Sequence, residues 1–163
     1  MRLKGKVVLI TASTRGIGLA CAVRCAKEGA VVYMAARNME RAEARAQELN
    51  EQGYTVKTVF NDASDKDSYR TMVEEVIRQE GRIDVLVNNF GTSNPKKDLD
   101  IKSTEYEEFI GTLDMNLASV FLPVQAVIHI WQSRRWKYYQ YFFHRRTSSG
   151  YLADCLWNEQ SGN

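Results

Sequence analysis

The chain is short of several things, and each shortage removes a class of protein. Of its 163 residues only three are cysteines, an odd number with no metal-ligand spacing. Cys21 and Cys25 lie one helical turn apart, where packing is the simpler role. A disulfide framework and a metal centre are therefore not expected, and the setting expected is reducing and cytoplasmic. Charge of one sign is also lacking. Lys+Arg number 22 against 20 Asp+Glu, and a net charge of +2 is too small to argue for nucleic acid as a partner. No apolar run approaches membrane-spanning length, and the basic N-terminus leads into a strand-length segment, so neither a membrane partner nor a signal peptide is expected. There is no low-complexity segment. The length suits one domain with a real core but is short for a two-domain enzyme.

What is present begins with Lys6-Val7-Val8-Leu9-Ile10-Thr11-Ala12-Ser13-Thr14-Arg15-Gly16-Ile17-Gly18. Val7 to Ile10 is a continuous apolar run, as expected of a strand covered on both faces. A small polar turn follows, and Gly16 and Gly18 mark a helix start. Glycines there let phosphates approach the backbone, and a helix N-terminus supplies free N–H groups and positive dipole.

The pattern then repeats. An apolar helix ends near Gly29, and Val31 to Ala35 is a second buried strand. Met39 to Asn50 reads as an exposed helix stopped near Gly53, and Val56 to Phe60 as a third strand. Ser64, with Asp67 three residues on, resembles a cap for a helix from Tyr69 to Glu80. Ile83 to Val87 is a fourth strand. Beyond a polar loop, Ser103 is placed as the cap of a short acidic turn, before a long helix from about Thr112 to Ile128 in which Pro123 should produce a bend. Strands and helices alternating with short links imply parallel strands with right-handed crossovers. The fold class is α/β, a Rossmann-type doubly wound sheet represented by its N-terminal half.

In such sheets ligands lie at the carboxyl ends of the strands. The residues there are Thr11 to Gly18, Ala36-Arg37-Asn38, Asn61-Asp62-Ala63 and Asn88-Asn89-Phe90-Gly91. A carboxylate after the second strand would accept hydrogen bonds from the 2′-hydroxyl of NAD and repel a 2′-phosphate. The chain has Arg37 instead, able to pair with a phosphate, which favours NADP over NAD; the plain alternative is a solvated surface arginine.

At these residues the chain resembles the short-chain dehydrogenase/reductase family, over roughly residues 4–128. The family's Thr-Gly-x-x-x-Gly-x-Gly appears as Thr11 to Gly18, with Ala12 for the first glycine. Asn61-Asp62 matches the position whose acid meets the adenine ring. Asn88-Asn89-Phe90-Gly91 matches Asn-Asn-Ala-Gly, with Phe90 for alanine, and Asn116 matches the helix asparagine that anchors a proton-relay water. Within the family the wording is most similar to bacterial hydroxysteroid dehydrogenases acting on bile acids. The resemblance implies hydride transfer between NADP and a small-molecule alcohol or ketone, and a homo-oligomer for a full-length member. The cofactor would be held by Thr11, Ser13, Thr14, Arg15, Gly16, Ile17, Gly18, Arg37, Asn38, Asp62, Ala63, Asn89 and Gly91, with Asn116 in the catalytic relay. It also implies a serine followed about 13 positions later by Tyr-x-x-x-Lys, where the lysine lowers the tyrosine pKa. No such tyrosine and lysine stand in place: the last lysine is Lys137, and Tyr151 is followed four residues later by Cys155.

Composition breaks where the resemblance ends. Residues 1–128 hold 17 Lys+Arg, 18 Asp+Glu and eight aromatics; residues 129–163 hold five, two and nine, with all three tryptophans. Gln140 to Arg146 can be encoded CAA TAT TTC TTC CAT CGG CGG, which from its second base reads Asn-Ile-Ser-Ser-Ile-Gly, the family's serine strand. Leu156 to Gly162 can be TTA TGG AAC GAG CAA AGC GGC, which in the same shift reads Tyr-Gly-Thr-Ser-Lys-Ala. The second serine falls opposite Phe143 and the tyrosine opposite Leu156, the required 13 positions. The tail thus reads as an out-of-frame translation, with the shift beginning between Ile128 and Arg135 and the chain catalytically dead. Two rivals stand beside it. One is a non-catalytic NADP-binding fragment. The other is a tail selected for single-stranded nucleic acid, with Arg134, Arg135, Lys137, Arg145 and Arg146 among aromatics. Sequencing the coding DNA decides the frame question. The shifted frame should stay open through Tyr-x-x-x-Lys into further family sequence, and a stop before that motif overturns the reading.

Overall fold

The computed structural model describes residues 1–97 and 99–131, so the readings placed on 132–163 lie outside it. Four strands, β1 (Val7–Thr11), β2 (Val31–Ala36), β3 (Thr55–Phe60) and β4 (Val85–Val87), alternate with helices α1 (Gly16–Lys27), α2 (Met39–Glu51), α3 (Asp67–Glu80) and α4 (Tyr106–Trp131). All strand pairs are parallel, in the order β3-β2-β1-β4. The chain reverses its direction of sheet growth after β3, which places a crevice at the carboxyl ends of β1 and β4. This is the expected Rossmann-like arrangement.

Every residue of β1 is buried, and alternation sends its side chains to two different cores. Val7 and Leu9 join Tyr33, Val59, Leu86, the α3 residues Tyr69, Met72, Val73 and Val76, and Val127 of α4. Val8 and Ile10 join Val32, Met34, Val56 and Val87 against Ala22 and Ala26 of α1 and Ala46 and Leu49 of α2. Helices α1 and α2 therefore cover one face of the sheet, and α3 and α4 the other. Small residues on α1 let its axis lie close to the strands, which brings its N-terminus down to the end of β1.

Five expectations need correcting. Ser64 does not cap α3; it turns back on Asp62, whose Oδ1 accepts from the Ser64 N–H and hydroxyl at 3.0 and 2.8 Å. The long helix begins at Tyr106 rather than Thr112, so the acidic turn is its first turn. Ser103 does not cap it either: its N–H donates to Asp100, and acids in a first turn favour the helix dipole without a separate capped turn. β4 is three residues long: at Asp84 the backbone N–H still donates to the Val7 carbonyl at 2.9 Å, while the side-chain carboxylate accepts the Val7 N–H at 2.8 Å. Finally, Tyr106–Ile128 is long and apolar enough, by length and composition, to cross a membrane. The periodic acids Glu107, Glu108 and Asp114 had masked that apolar content in the sequence.

The two edges of the sheet differ. At β3 the Asn50 side chain imitates a neighbouring strand, accepting from the Val56 N–H at 2.8 Å and donating to its carbonyl at 2.9 Å. Among the described residues no strand pairs with the far side of β4. One face of α4 is likewise uncovered: Phe109, Ile110, Leu113, Leu117 and Phe121 are each 40–62% exposed. Fully burying a side chain of this size is worth about 1.5–3 kcal/mol, so the fold forgoes several such gains.

A polar cluster, buried only at Tyr33, ties β2 to α3. The Tyr33 hydroxyl lies 2.8 Å from both Gln79 Oε1 and Glu80 Oε1, and Lys57 Nζ donates to Glu80 at 2.6 Å. Burial first, and then the bond to Glu80, push the Tyr33 pKa up to about 12; burial pushes Tyr69 to about 12 as well. A folded-state pKa above the unfolded value of about 10 favours folding below pH 10, and that contribution disappears as pH rises through 12. Urea unfolding should show stability falling over that window, and Tyr33→Phe should remove roughly half of the pH-dependent fall.

Candidate functional site

The polar residues at the strand ends do converge, but many of them hold one another rather than facing outward. Thr11 is fully buried at the end of β1. Its Oγ1 accepts from the N–H groups of Asn89 and Phe90 at 2.9 and 3.1 Å. Asn89 returns the contact, its Nδ2 donating to the carbonyls of Thr11 and Ala12 at 3.1 and 3.0 Å. Ser13, also buried, donates its hydroxyl to the Ile10 carbonyl at 3.0 Å. Thr11, Ser13 and Asn89 thus build the floor of the crevice.

The turn above that floor is shaped for close approach. Ala12 sits at φ +51, a left-handed conformation costing an alanine roughly 1–2 kcal/mol more than the right-handed one. This is where Ala12 replaces the glycine of the motif. Gly16 has φ +55, with nothing within 4 Å of where a Cβ would point. At Gly18 a Cβ would meet the Ala12 carbonyl and Asn89 Nδ2 at 2.5 Å, so only glycine lets α1 start this close to the floor. Arg15 occupies the N-cap position with extended backbone and no side-chain cap, and the first turn contains no acid. Its leading N–H groups therefore point at open space beside the exposed Arg15, Gly16 and Ile17, while Thr14 is half-buried. That is the donor arrangement an anion requires.

The ends of β2 and β3 border the same region. Arg37 is exposed directly after β2, with no carboxylate at that strand end. Asn38 is not free for a ligand through its oxygen, because Oδ1 caps α2 by accepting from the Arg41 N–H at 2.8 Å. After β3, Asp62 is held ionised below the usual carboxylate range by the Ser64 backbone and hydroxyl, with the Arg37 charge contributing less. Ser68, not singled out in the sequence, fixes this loop: its Oγ donates to the Asp62 carbonyl at 2.7 Å and accepts from the Asp62 N–H at 3.1 Å. A buried serine at the start of a helix carries no distinctive pattern. Ala63, half-buried, packs against the α3 side of the core.

After β4, Gly91 is exposed, and a Cβ there would meet nothing closer than Asn116 Oδ1 at 3.7 Å. Asn116 clamps this loop to α4. Its Oδ1 accepts from the Thr92 N–H at 2.8 Å, and its Nδ2 donates to the carbonyls of Thr92 and Thr112 at 2.8 and 2.9 Å. Its own carbonyl accepts the buried Ser119 hydroxyl at 2.7 Å. Asn88, placed at this strand end by the sequence, is buried with neither side-chain polar atom hydrogen-bonded among the described residues. Among the described residues no group of acids, cysteines and histidines could hold a metal. A groove of about 480 Å³ between α2 and β3, lined by Glu43, Gln47, Asn50 and Lys57, lies away from these strand ends.

Comparison with known proteins agrees with this geometry. Residues 6–136 match the short chain dehydrogenase family. The chain is 43% identical over 127 residues to a 7α-hydroxysteroid dehydrogenase of Paraclostridium sordellii, covering 78% of this chain and 48% of that protein. It is 46% identical over 127 residues to the enzyme of the same name from Clostridium sardiniense, with the same coverage. A gluconate 5-dehydrogenase from Burkholderia cenocepacia, solved with NADP and tartrate, superposes with a TM-score of 0.76 at 31% identity, over 85% of this chain and 54% of that one. The chain therefore spans about half the length of the relatives it matches.

Gly18→Ala should cost about 1–3 kcal/mol, because backbone and a tethered amide must both move. Urea denaturation measures it, and a change below about 0.5 kcal/mol would show that the turn is not closely packed.

Proposed function

The chain belongs to the short chain dehydrogenase family, and on that footing we propose that it is the NADP-binding half of a hydroxysteroid oxidoreductase, without the residues for turnover. The observation that carries the proposal is the pairing of an uncapped, acid-free helix start above Gly16 and Gly18 with the exposed Arg37 after β2. The pyrophosphate would take the first-turn N–H groups of α1, and the 2′-phosphate would take the Arg37 guanidinium. Asp62, ionised and flanking Arg37, would accept from the adenine amino group. Asn89 and Thr11 hold the turn in shape, and Gly91 leaves room over the end of β4. When bound, NADP supplies the hydride acceptor or donor for an alcohol–ketone pair.

The proton relay is what this chain lacks. Asn116 is the one residue of that relay in frame, and its side chain is committed to Thr92. The serine and the Tyr-x-x-x-Lys would lie in the shifted frame, and the family match stops at residue 136, beside the interval where the break is placed. A 7α-hydroxy bile acid is the substrate class this reading gives the full-length relative, supported by the identity to the two clostridial enzymes.

Titration calorimetry tests the cofactor claim on the intact chain. NADP should bind more tightly than NAD, and Arg37→Ala should weaken NADP about tenfold while leaving NAD unchanged, the loss of one charge-assisted phosphate contact. Turnover of a 7α-hydroxy bile acid should be undetectable in the same preparation. Equal affinity for both cofactors would remove Arg37 from the site, and measurable turnover would overturn the inactive assignment.

A further inference from the structure

Helix α1 carries two cysteines that neither the fold nor the cofactor reading uses. Cys21 and Cys25 are both free and half-buried, one turn apart on the same flank. Each precedes by one residue an alanine that fills the buried face, Ala22 and Ala26 at 0% and 3% exposed. The cysteines therefore pack one side against the core under α1 and present the other to solvent. Several uses compete for such a pair, and the geometry separates them. A disulfide needs Cβ atoms about 3.5–4.5 Å apart, whereas helical residues four apart hold theirs at about 5–6 Å. Closing one would require α1 to unwind. A nucleophilic role is also disfavoured. Burial raises both thiol pKa values, and at Cys25 the charges of Cys21 and Glu28 add to it, so thiolate is scarce. The same coupling places the two sulfurs within electrostatic reach of each other, and a cation between them removes the repulsion of two thiolates. Bonds of about 2.3 Å from two thiolates to one metal span up to about 4.6 Å between sulfurs, which the helical spacing supplies. Among the described residues no group of three or more His, Cys, Asp and Glu could hold a metal, so the four-ligand demand of zinc is not met. Thiolates select soft ions, and of these copper(I) is satisfied by two ligands in line.

We propose that Cys21 and Cys25 form a two-thiolate site on α1 for a single soft monovalent cation, copper(I). Binding forms two S–Cu bonds and breaks two S–H bonds; the two protons leave to solvent and copper stays in the +1 state. The metal clamps the second and third turns of α1 together. The site shares its helix with Gly16 and Gly18 but uses none of the residues proposed for NADP, so the two readings stand or fall separately.

The test uses the full 163-residue chain carrying Cys155→Ser, which removes the one thiol outside the described residues. Copper(I) is titrated without oxygen against the chromogenic chelator bicinchoninate. The protein should take one copper per chain, and zinc(II) should bind at least a hundredfold more weakly. Native mass spectrometry should give the same one-to-one ratio. Cys21→Ser and Cys25→Ser should each lower copper affinity at least a hundredfold with the circular dichroism unchanged. With both cysteines present, copper should slow iodoacetamide labelling of each thiol and amide exchange over Ala22–Glu28 at least tenfold, a readout that needs neither serine variant to fold. Unfolding the chain in urea should weaken binding at least tenfold, because the helix sets the distance between the sulfurs. Full affinity in either serine variant, unprotected thiols, equal binding by the unfolded chain, zinc held as tightly as copper, or one copper shared between two chains would each refute the site.

Discussion

The reciprocal grip between Thr11 and Asn89 is the constraint on which the working end of this molecule depends. One hydroxyl accepts from two backbone N–H groups of the β4 loop, and one amide donates to two carbonyls of the β1 turn. These bonds are worth only about 1 kcal/mol each when made, but losing one leaves a buried group unsatisfied at 1–3 kcal/mol. The grip spans the point where strand order reverses, so the two strands that border the crevice cannot drift apart. It also holds Ala12 in a conformation an alanine does not prefer. With the turn fixed there, Gly18 becomes the only residue that fits beneath it, and α1 can begin with its N–H groups facing the open end of the sheet.

The same device recurs at each strand end. Ser68 fixes the loop after β3, Asn38 caps the helix after β2, and Asn116 ties the loop after β4 to α4. After β3 and β4 a side chain from a helix satisfies the loop's own polar groups, and after β2 the loop's Asn38 satisfies the helix instead. What remains unsatisfied is informative for that reason. The first turn of α1 has no acid beside its N–H groups, and the Arg37 guanidinium lies exposed at the β2 end with the ionised Asp62 near it. A surface whose loops are held by bonds of their own needs little reordering on binding, which suits the phosphorylated ligand proposed for it.

The sequence was most legible where one physical signal dominated. Continuous apolar runs bounded by glycine marked β1 and β2 within a residue, since a strand buried on both faces has no alternation to blur. The glycine turn was legible because only glycine tolerates both φ +55 at position 16 and the contact at position 18. Where several signals competed, the reading slipped. Ser64 had the spacing of a cap, yet Asp62 lay two residues away and offered a stronger local acceptor. The start of α4 was hidden by Glu105, Glu107 and Glu108, which look like a separate acidic turn but serve the positive end of the helix dipole. The role of Ser68 was not legible at all, and Asn88 was legible only as a strand-end residue, because such roles depend on which distant groups the fold brings against them.

The apolar content of α4 can be understood from the same geometry. A helix that is apolar all round is made to be covered all round, by protein or by lipid. On one side α4 packs Leu122, Val124, Ala126 and Val127 into the core beneath it. It also carries Asp114, which pairs with Lys66 at 2.9 Å, and Asn116, which is bonded to a loop at the sheet end. Those polar anchors tie one face of the helix to α3 and to the β4 loop. The opposite face, with Phe109, Leu113, Leu117 and Phe121, is exposed among the described residues. Among the described residues the β4 edge is open as well, so both surfaces lie on the side where a sheet of this order grows next.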